Sequence, residues 1–252
     1  DVDLLVLLAD EPGAEEHERL AQLVGLLWDI GLEAAHAVRT VEACLDAMRG
    51  DITVETALLE ARPLAGNPIL SRRLLTSLAG ARDAAAFLRA KQLEQEQRYA
   101  KHQDTPYALE PNLKEAPGGL RDLQVIAWVA RASGLGSRWR DLERHGLIHR
   151  TEARALARHE RFLQDLRIRL HYLAGRREDR LVFDYQNALA AQCGLPATET
   201  RRGGERLMQR YYRAAKGVTQ LNILLLQNLE SRIAPAPDLA PRPLNERFQV
   251  RG

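Results

Sequence analysis

Cysteine, methionine, aromatic residues and net charge are all scarce in this 252-residue chain, which holds two Cys, two Met, 5% aromatics and a formal charge of only +2. Cys44 and Cys193 lie far apart with no metal-ligand spacing. That excludes a disulfide framework or a zinc cluster, fits a reducing cytoplasm, and leaves both to be read as buried small apolar residues. With few aromatics and only 4 Lys among the 36 basic residues, there is neither a stacking motif nor a Lys-rich groove for nucleic acid. The longest apolar run, Leu4 to Ala9, is far short of the roughly 20 residues that span a bilayer, so no membrane segment is expected. An initiating Met and a signal-peptide pattern are also missing. Residue 1 is an Asp inside a strand pattern, and the closing Arg242 to Gly252 stretch stops without a terminator. The chain therefore reads as an excerpt of a longer one.

What is present is unevenly distributed. Residues 1 to 60 carry 14 acids and 3 bases (net −11), whereas residues 61 to 252 carry 20 acids and 33 bases (net +13). The first region suits metal cations and the second an anionic partner. An apolar fraction of 45% with 28% charged residues is that of a globular protein rather than a disordered one.

The local patterns predict an α+β chain. DVDLLVLL reads as a buried strand ending at Asp10-Glu11-Pro12-Gly13. Helical spacing of Leu20, Leu23, Val24, Leu27 and Trp28 predicts a helix from Ala14 to Ile30, ended by Gly31. A second strand is expected over Leu32 to Arg39, then a short helix capped by Thr40 and closed by Gly50. After Asp51 strand signals fade and helices are expected, among them Phe87 to His102 and Leu120 to Ala132. Leucine stripes on 156–173 and 207–229 read as bundle core. The irregular stretch Gln103 to Gly119 is long enough to suggest a functional loop. The expected division is residues 1–75, 76–234 and a Pro-rich linker, 235–252.

Asp1 and Asp3 form the sharpest chemical feature. Residues i and i+2 of a strand share a face, so the two carboxylates can converge on a divalent cation while Val2, Leu4 and Val6 turn to the core. Metal-dependent nucleotidyl transfer needs such a pair and usually a third acid. Asp51, Glu33 and Glu60 are the candidates, although Asp51 can equally be an N-cap and the two glutamates surface residues. Arg39 can reach a phosphate or pair with the surrounding acids. Arg62 follows Glu60 closely. Gly118-Gly119-Leu120-Arg121-Asp122 has the form of a phosphate-binding turn at a helix N-terminus, with Arg121 as its cation; a tight structural turn is the alternative.

DVDLLVL, LLWDIGLEAAHAVRT, DITVETALLEARPLAGN, NLKEAPGGLRDLQVIAWVAR, RLVFDYQ and the closing RPLNERFQVRG together resemble the bifunctional PII uridylyltransferase/uridylyl-removing family of bacterial nitrogen control, over the whole chain. The resemblance implies a truncated polymerase-β-like nucleotidyltransferase domain followed by a helical domain. It also implies Mg²⁺ as cofactor, UTP as substrate, a tyrosine of the PII signal protein as acceptor, and the metal-binding Asp-x-Asp at Asp1 and Asp3 with Asp51 as third acid. The family's Gly-Ser motif before the first Asp, its hydrolase domain and its glutamine-sensing domains have no counterpart here. Low turnover by this stretch alone is therefore expected, and neither removal activity nor glutamine sensing is assigned to it. Two other readings remain: an adenylyltransferase acting on glutamine synthetase, and a non-catalytic protein-binding scaffold. Oligomeric state is not legible.

Overall fold

The computed structural model describes residues 2–32, 34–102, 105–235, 242–243 and 249–250, of which Val2 and the last four are described by backbone alone. Contacts divide the chain into two compact units, Asp1–Asp83 and Ala84–Gly252.

In the first unit, strands β1 (Val2–Leu8) and β2 (Ala34–Thr40) pair in parallel, with Asp3 level with Ala35 and Leu7 level with Arg39. Parallel neighbours need a crossover, here supplied by helix α1 (Ala14–Asp29). Glu16 reaches back to the Gly13 N–H at 3.0 Å and closes the first turn of α1. Helices α2 (Val41–Gly50), α3 (Ile52–Glu60) and α4 (Pro68–Ala81) follow, and each starts where a short polar side chain accepts a backbone N–H. Thr40 accepts from Ala43 at 3.2 Å, Asp51 from Thr53 at 2.7 Å and Asn67 from Ile69 at 2.9 Å.

The unit's core gathers Val41, Cys44, Met48, Leu58, Leu74 and Leu78, with Leu5 and Leu7 packed against it. This corrects the expected orientation of β1. The row of residues 3, 5 and 7 covers the helical core, while Leu4 and Val6 on the opposite face are half-buried. Both rows of DVDLLVLL carry leucine or valine, so the alternation could not tell which face the helices would cover. The break between units also differs from the expected 75/76 division, which would cut α4 in two. Leu74 and Leu78 put the whole of α4 in the first core, and the break falls after Asp83.

The second unit is built from α5 (Ala84–Lys101), α6 (Leu120–Ala132), α7 (Trp139–Arg144), α8 (Arg150–Ala174), α9 (Phe183–Gln192) and the 31-residue α10 (Gly203–Ile233). The leucine stripes are core along most of their length: Leu156, Leu163, Leu166 and Leu170 of α8, and Leu207, Tyr211, Val218, Leu225 and Leu229 of α10, are buried, whereas Leu173 and Leu221, also expected there, are half-buried. Gly175, in left-handed backbone at φ 63°, ends α8. In the expected linker, Arg242–Pro243 and Gln249–Val250 pair antiparallel as β3 and β4. Residues 236–241 and 244–248 lie outside the described residues. Among the described residues no helix is long and apolar enough to cross a membrane.

Candidate functional site

Of the expected metal ligands, Asp1 and the alternative Glu33 lie outside the described residues. Asp3 is described, and its carboxylate stands exposed at the start of the β1 row that continues into Leu5 and Leu7. Asp51 is the residue between α2 and α3. Its Oδ1 accepts both the backbone N–H of Thr53 at 2.7 Å and the Thr53 hydroxyl at 2.5 Å, so it caps α3. Glu60, the last residue of α3, is exposed. Among the described residues no three His, Cys, Asp or Glu side chains come together as a metal cage.

The arginines proposed for phosphate fall into different settings. Arg39 is half-buried on β2, on the same sheet face as Asp3 but four residues further along, about 13 Å at a strand's rise. Burial pushes the Cys44 thiol up, and the positive charge of Arg39 only partly offsets this. Arg62 is exposed just beyond the end of α3. Arg121 is in the second unit and already engaged: its guanidinium bonds Glu115 at 3.1 Å and Gln124 at 2.9 Å, and lies 5.2 Å from the Trp128 ring centre.

The Gly118-Gly119 turn is structural rather than an anion cradle, because its amides are taken within the fold. Gly118 N–H donates to Asp122 Oδ2 at 2.7 Å, Gly119 N–H to Ala116 O at 2.8 Å, Leu120 N–H to Leu113 O at 3.0 Å and Arg121 N–H to Lys114 O at 2.8 Å. Gly118 has φ +78°, and a Cβ there would stand 2.3 Å from the backbone oxygen of Ala215 on α10. Only glycine permits that approach.

The turn encloses a buried polar network that the sequence reading did not isolate. Asp122 is completely buried. It accepts from Arg98 Nη2 at 2.7 Å, from the Tyr99 hydroxyl at 2.6 Å and from Gly118 N–H, while its backbone oxygen accepts from Asn222 Nδ2 at 3.0 Å. Gln95 donates to Asn222 at 2.7 Å. Burial pushes the Asp122 carboxyl up, against the pull of Arg98, Tyr99 and Gly118; burial and the neighbouring Asp122 charge push the Tyr99 phenol up as well. The network thereby joins α5, α6 and α10, with a donor supplied for each Asp122 oxygen, as a buried carboxylate requires. Lys91, 2% exposed, lies beside it, bonded to Glu94 at 2.7 Å and facing the rings of Phe87 and Trp128 at 5.5 and 5.1 Å. A local signal existed: an acid four residues after a glycine turn, at a helix's third position.

The irregular stretch joins a second segment some 70 residues away. Leu113 N–H donates to Asp179 O at 2.8 Å and Leu181 N–H to Pro111 O at 2.9 Å, and Glu110 accepts from both Arg180 and the Phe183 N–H at 3.0 Å. NLKEAPGGLRD and RLVFDYQ, distant in sequence, are thus one assembled feature.

The family model of the GlnD PII-uridylyltransferases matches residues 86–226, all within the second unit. Bifunctional uridylyltransferase/uridylyl-removing enzymes of Bordetella parapertussis and Aromatoleum aromaticum are each 55% identical over 99% of the chain. The enzyme of that name from Nitrosospira multiformis is 54% identical over all of it. The chain spans 29% of the length of these relatives. No solved structure matches it. With a family model covering more than half of its residues, the chain belongs to the GlnD PII-uridylyltransferase family.

Proposed function

We propose that the chain contributes to a uridylyl transfer in which UMP passes from UTP to a tyrosine of the PII protein. The observation that carries this reading is the family match over residues 86–226, joined to 55% identity across 99% of the chain with enzymes named for that transfer. The tyrosine oxygen would bond to the α-phosphorus, the bond from that phosphorus to the bridging oxygen would break, and pyrophosphate would leave as the phenol loses its proton. Mg²⁺, when bound, would neutralise the phosphates and the charge developing on the leaving group.

The residues fit this role unequally. Asp3 offers an exposed hard-oxygen donor suited to Mg²⁺, and Asp1 is proposed beside it. Asp51 would assist only by sharing an oxygen that already caps α3. Arg39 and Arg62 would orient phosphates. Arg121, held by Glu115 and Gln124, would support the fold of the second unit. In the full-length protein bearing this sequence, Asp3→Asn should lower labelling of PII from UTP at least about 100-fold, a loss of about 2.7 kcal/mol of transition-state stabilisation. The circular dichroism spectrum should not change. Labelling at the parental rate by a folded Asp3→Asn protein would remove Asp3 from the mechanism.

The scaffold reading draws on one observation, the lack of a three-donor cluster among the described residues. Calorimetry with UTP separates the two, since a scaffold would give no heat that depends on added Mg²⁺.

A further inference from the structure

Helix α7 and the first half of α8 flank a groove of about 810 Å³ that is lined chiefly by arginine. Arg138 and Arg140 come from the α7 side and Arg150, Arg154, Arg158 and Arg161 from α8, and all six are exposed. The four on α8 recur at i, i+4, i+8 and i+11, which sets them along one side of the helix. Between them Ala153 and Ala157 form a floor with nothing beyond Cβ, so an occupant can sink between the guanidiniums. Trp139 lines the groove with its ring fixed by an indole N–H bond to Glu160 at 2.8 Å.

Among the described residues none of these six guanidiniums forms an ion pair, although the Arg138 charge acts on the Asp141 carboxyl and Arg161 Nε donates to the Ala157 backbone oxygen at 3.0 Å. Glu143 is the one carboxylate in the lining, which leaves a formal +5, and among the described residues no carboxylate oxygen lies within 4.0 Å of any of the six guanidiniums. Arginines just outside the groove are paired: Arg144 with Asp141 at 2.7 Å, Arg167 with Asp179 at 2.5 Å and Arg169 with Asp165 at 2.9 Å. Arginines without an ion pair among the described residues occur elsewhere too, such as Arg213 and Arg232; what distinguishes these six is that they line one concavity. Six unpaired like charges on one concave surface repel one another and concentrate a positive field there.

We propose that this groove binds a compact polyphosphate, the linked phosphates of a nucleoside triphosphate or of inorganic triphosphate. Guanidinium pairs with phosphate through two parallel hydrogen bonds, and arginine is the only cation in the lining. The volume is that of a small-ligand cleft. A triphosphate packs roughly four negative charges into one short chain, close to the +5 available. The proposal does not rest on the transferase reading, since none of Asp3, Arg39, Asp51 and Arg62 lines the groove.

The test is a titration of the chain with tripolyphosphate, UTP and ATP, in EDTA and about 150 mM salt, followed by heat and by tryptophan fluorescence. One site should bind tripolyphosphate, and Arg154→Glu with Arg158→Glu should weaken it at least about tenfold. Arg154→Gln with Arg158→Gln should weaken it less, while Arg213→Glu with Arg232→Glu, an equal charge change elsewhere, should leave it intact. Equal affinity for the three ligands would mean that phosphates alone are read; a gain for either nucleotide would mean that its base adds contact. Neither Asp3 nor any other residue of the proposed transfer site lines the groove, so failure of the transfer mechanism would not disturb this result. Lack of saturable binding up to millimolar ligand would overturn the proposal, as would an equal loss in the control variant. Tighter binding of polyglutamate or a single-stranded oligonucleotide than of tripolyphosphate would do the same. Circular dichroism on each variant, with the glutamine pair as the milder change, separates lost binding from lost folding.

Discussion

The two units close their surfaces to different degrees. In the first, α1 has no buried residue, and Leu26, Trp28 and Ile30 at its end are 58%, 63% and 63% exposed. In the second, even a carboxylate, Asp122, is sealed at 0% exposure with its oxygens bonded. Asp3, Arg39, Asp51 and Arg62 all fall in the open unit, whereas the family match falls in the closed one. The glycine turn and Asp122, which lie within the family-model match, are engaged in holding helices together, while Asp3, Asp51 and Arg62 of the proposed transfer site are exposed.

The contrast can be broken or sharpened by experiment. The largest effect is expected from Asp122→Ala, which takes from the largely buried Arg98 side chain its closest carboxylate and leaves it the Glu115 backbone oxygen at 3.2 Å. Breaking one side of a buried pair costs about 3–5 kcal/mol, to be measured as a fall in the urea midpoint of the second unit; a loss below about 1 kcal/mol would mean that the network does not organise it. A smaller effect is expected in the first unit from Thr40→Ala, which removes the cap of α2 at about 1 kcal/mol. A Thr40→Ala loss exceeding that of Asp122→Ala would reverse the comparison.

The smallest effect concerns pH. Burial alone would raise the Asp179 carboxyl, but hydrogen bonds from Arg167 and His171 and the Arg167 charge outweigh it and hold the group below its ordinary value. A carboxylate depressed in the folded state gives stability that is present above the unfolded value, near 3.9, and is lost as pH falls through the folded value. Asp179→Asn should therefore reduce stability at pH 7 and flatten its decline below about pH 4, as read from thermal melting across pH. An unchanged acid limb would show that the Arg167–Asp179 bond contributes nothing.

Much of the fold was legible where its signals are local. Thr40 and Gly50 bracket α2, and Leu120–Ala132 is helical over the expected span, because caps and terminators act within a turn. The facing of β1 was not legible, since both rows are apolar and only α2 and α4 decide which is covered. The union of residues 110–113 with 179–183 was hidden for a different reason: apart from the Glu110 contacts, its hydrogen bonds join main-chain groups, which every residue carries alike. At the candidate site, the two roles open to Asp51 were both visible, and the capping one is formed. The unpaired arginines of α7 and α8 were individually plain, but their lack of partners is a property of three-dimensional surroundings.

Gly118 carries a genetic consequence. The atoms that a side chain there would meet are the backbone oxygen, carbon and Cα of Ala215. Every missense change at residue 118 adds at least a Cβ, and no exchange of the residue 215 side chain can make room for it. Suppressors of a Gly118 lesion should therefore be absent from position 215 itself and confined to changes that shift the α10 backbone or stabilise the second unit elsewhere.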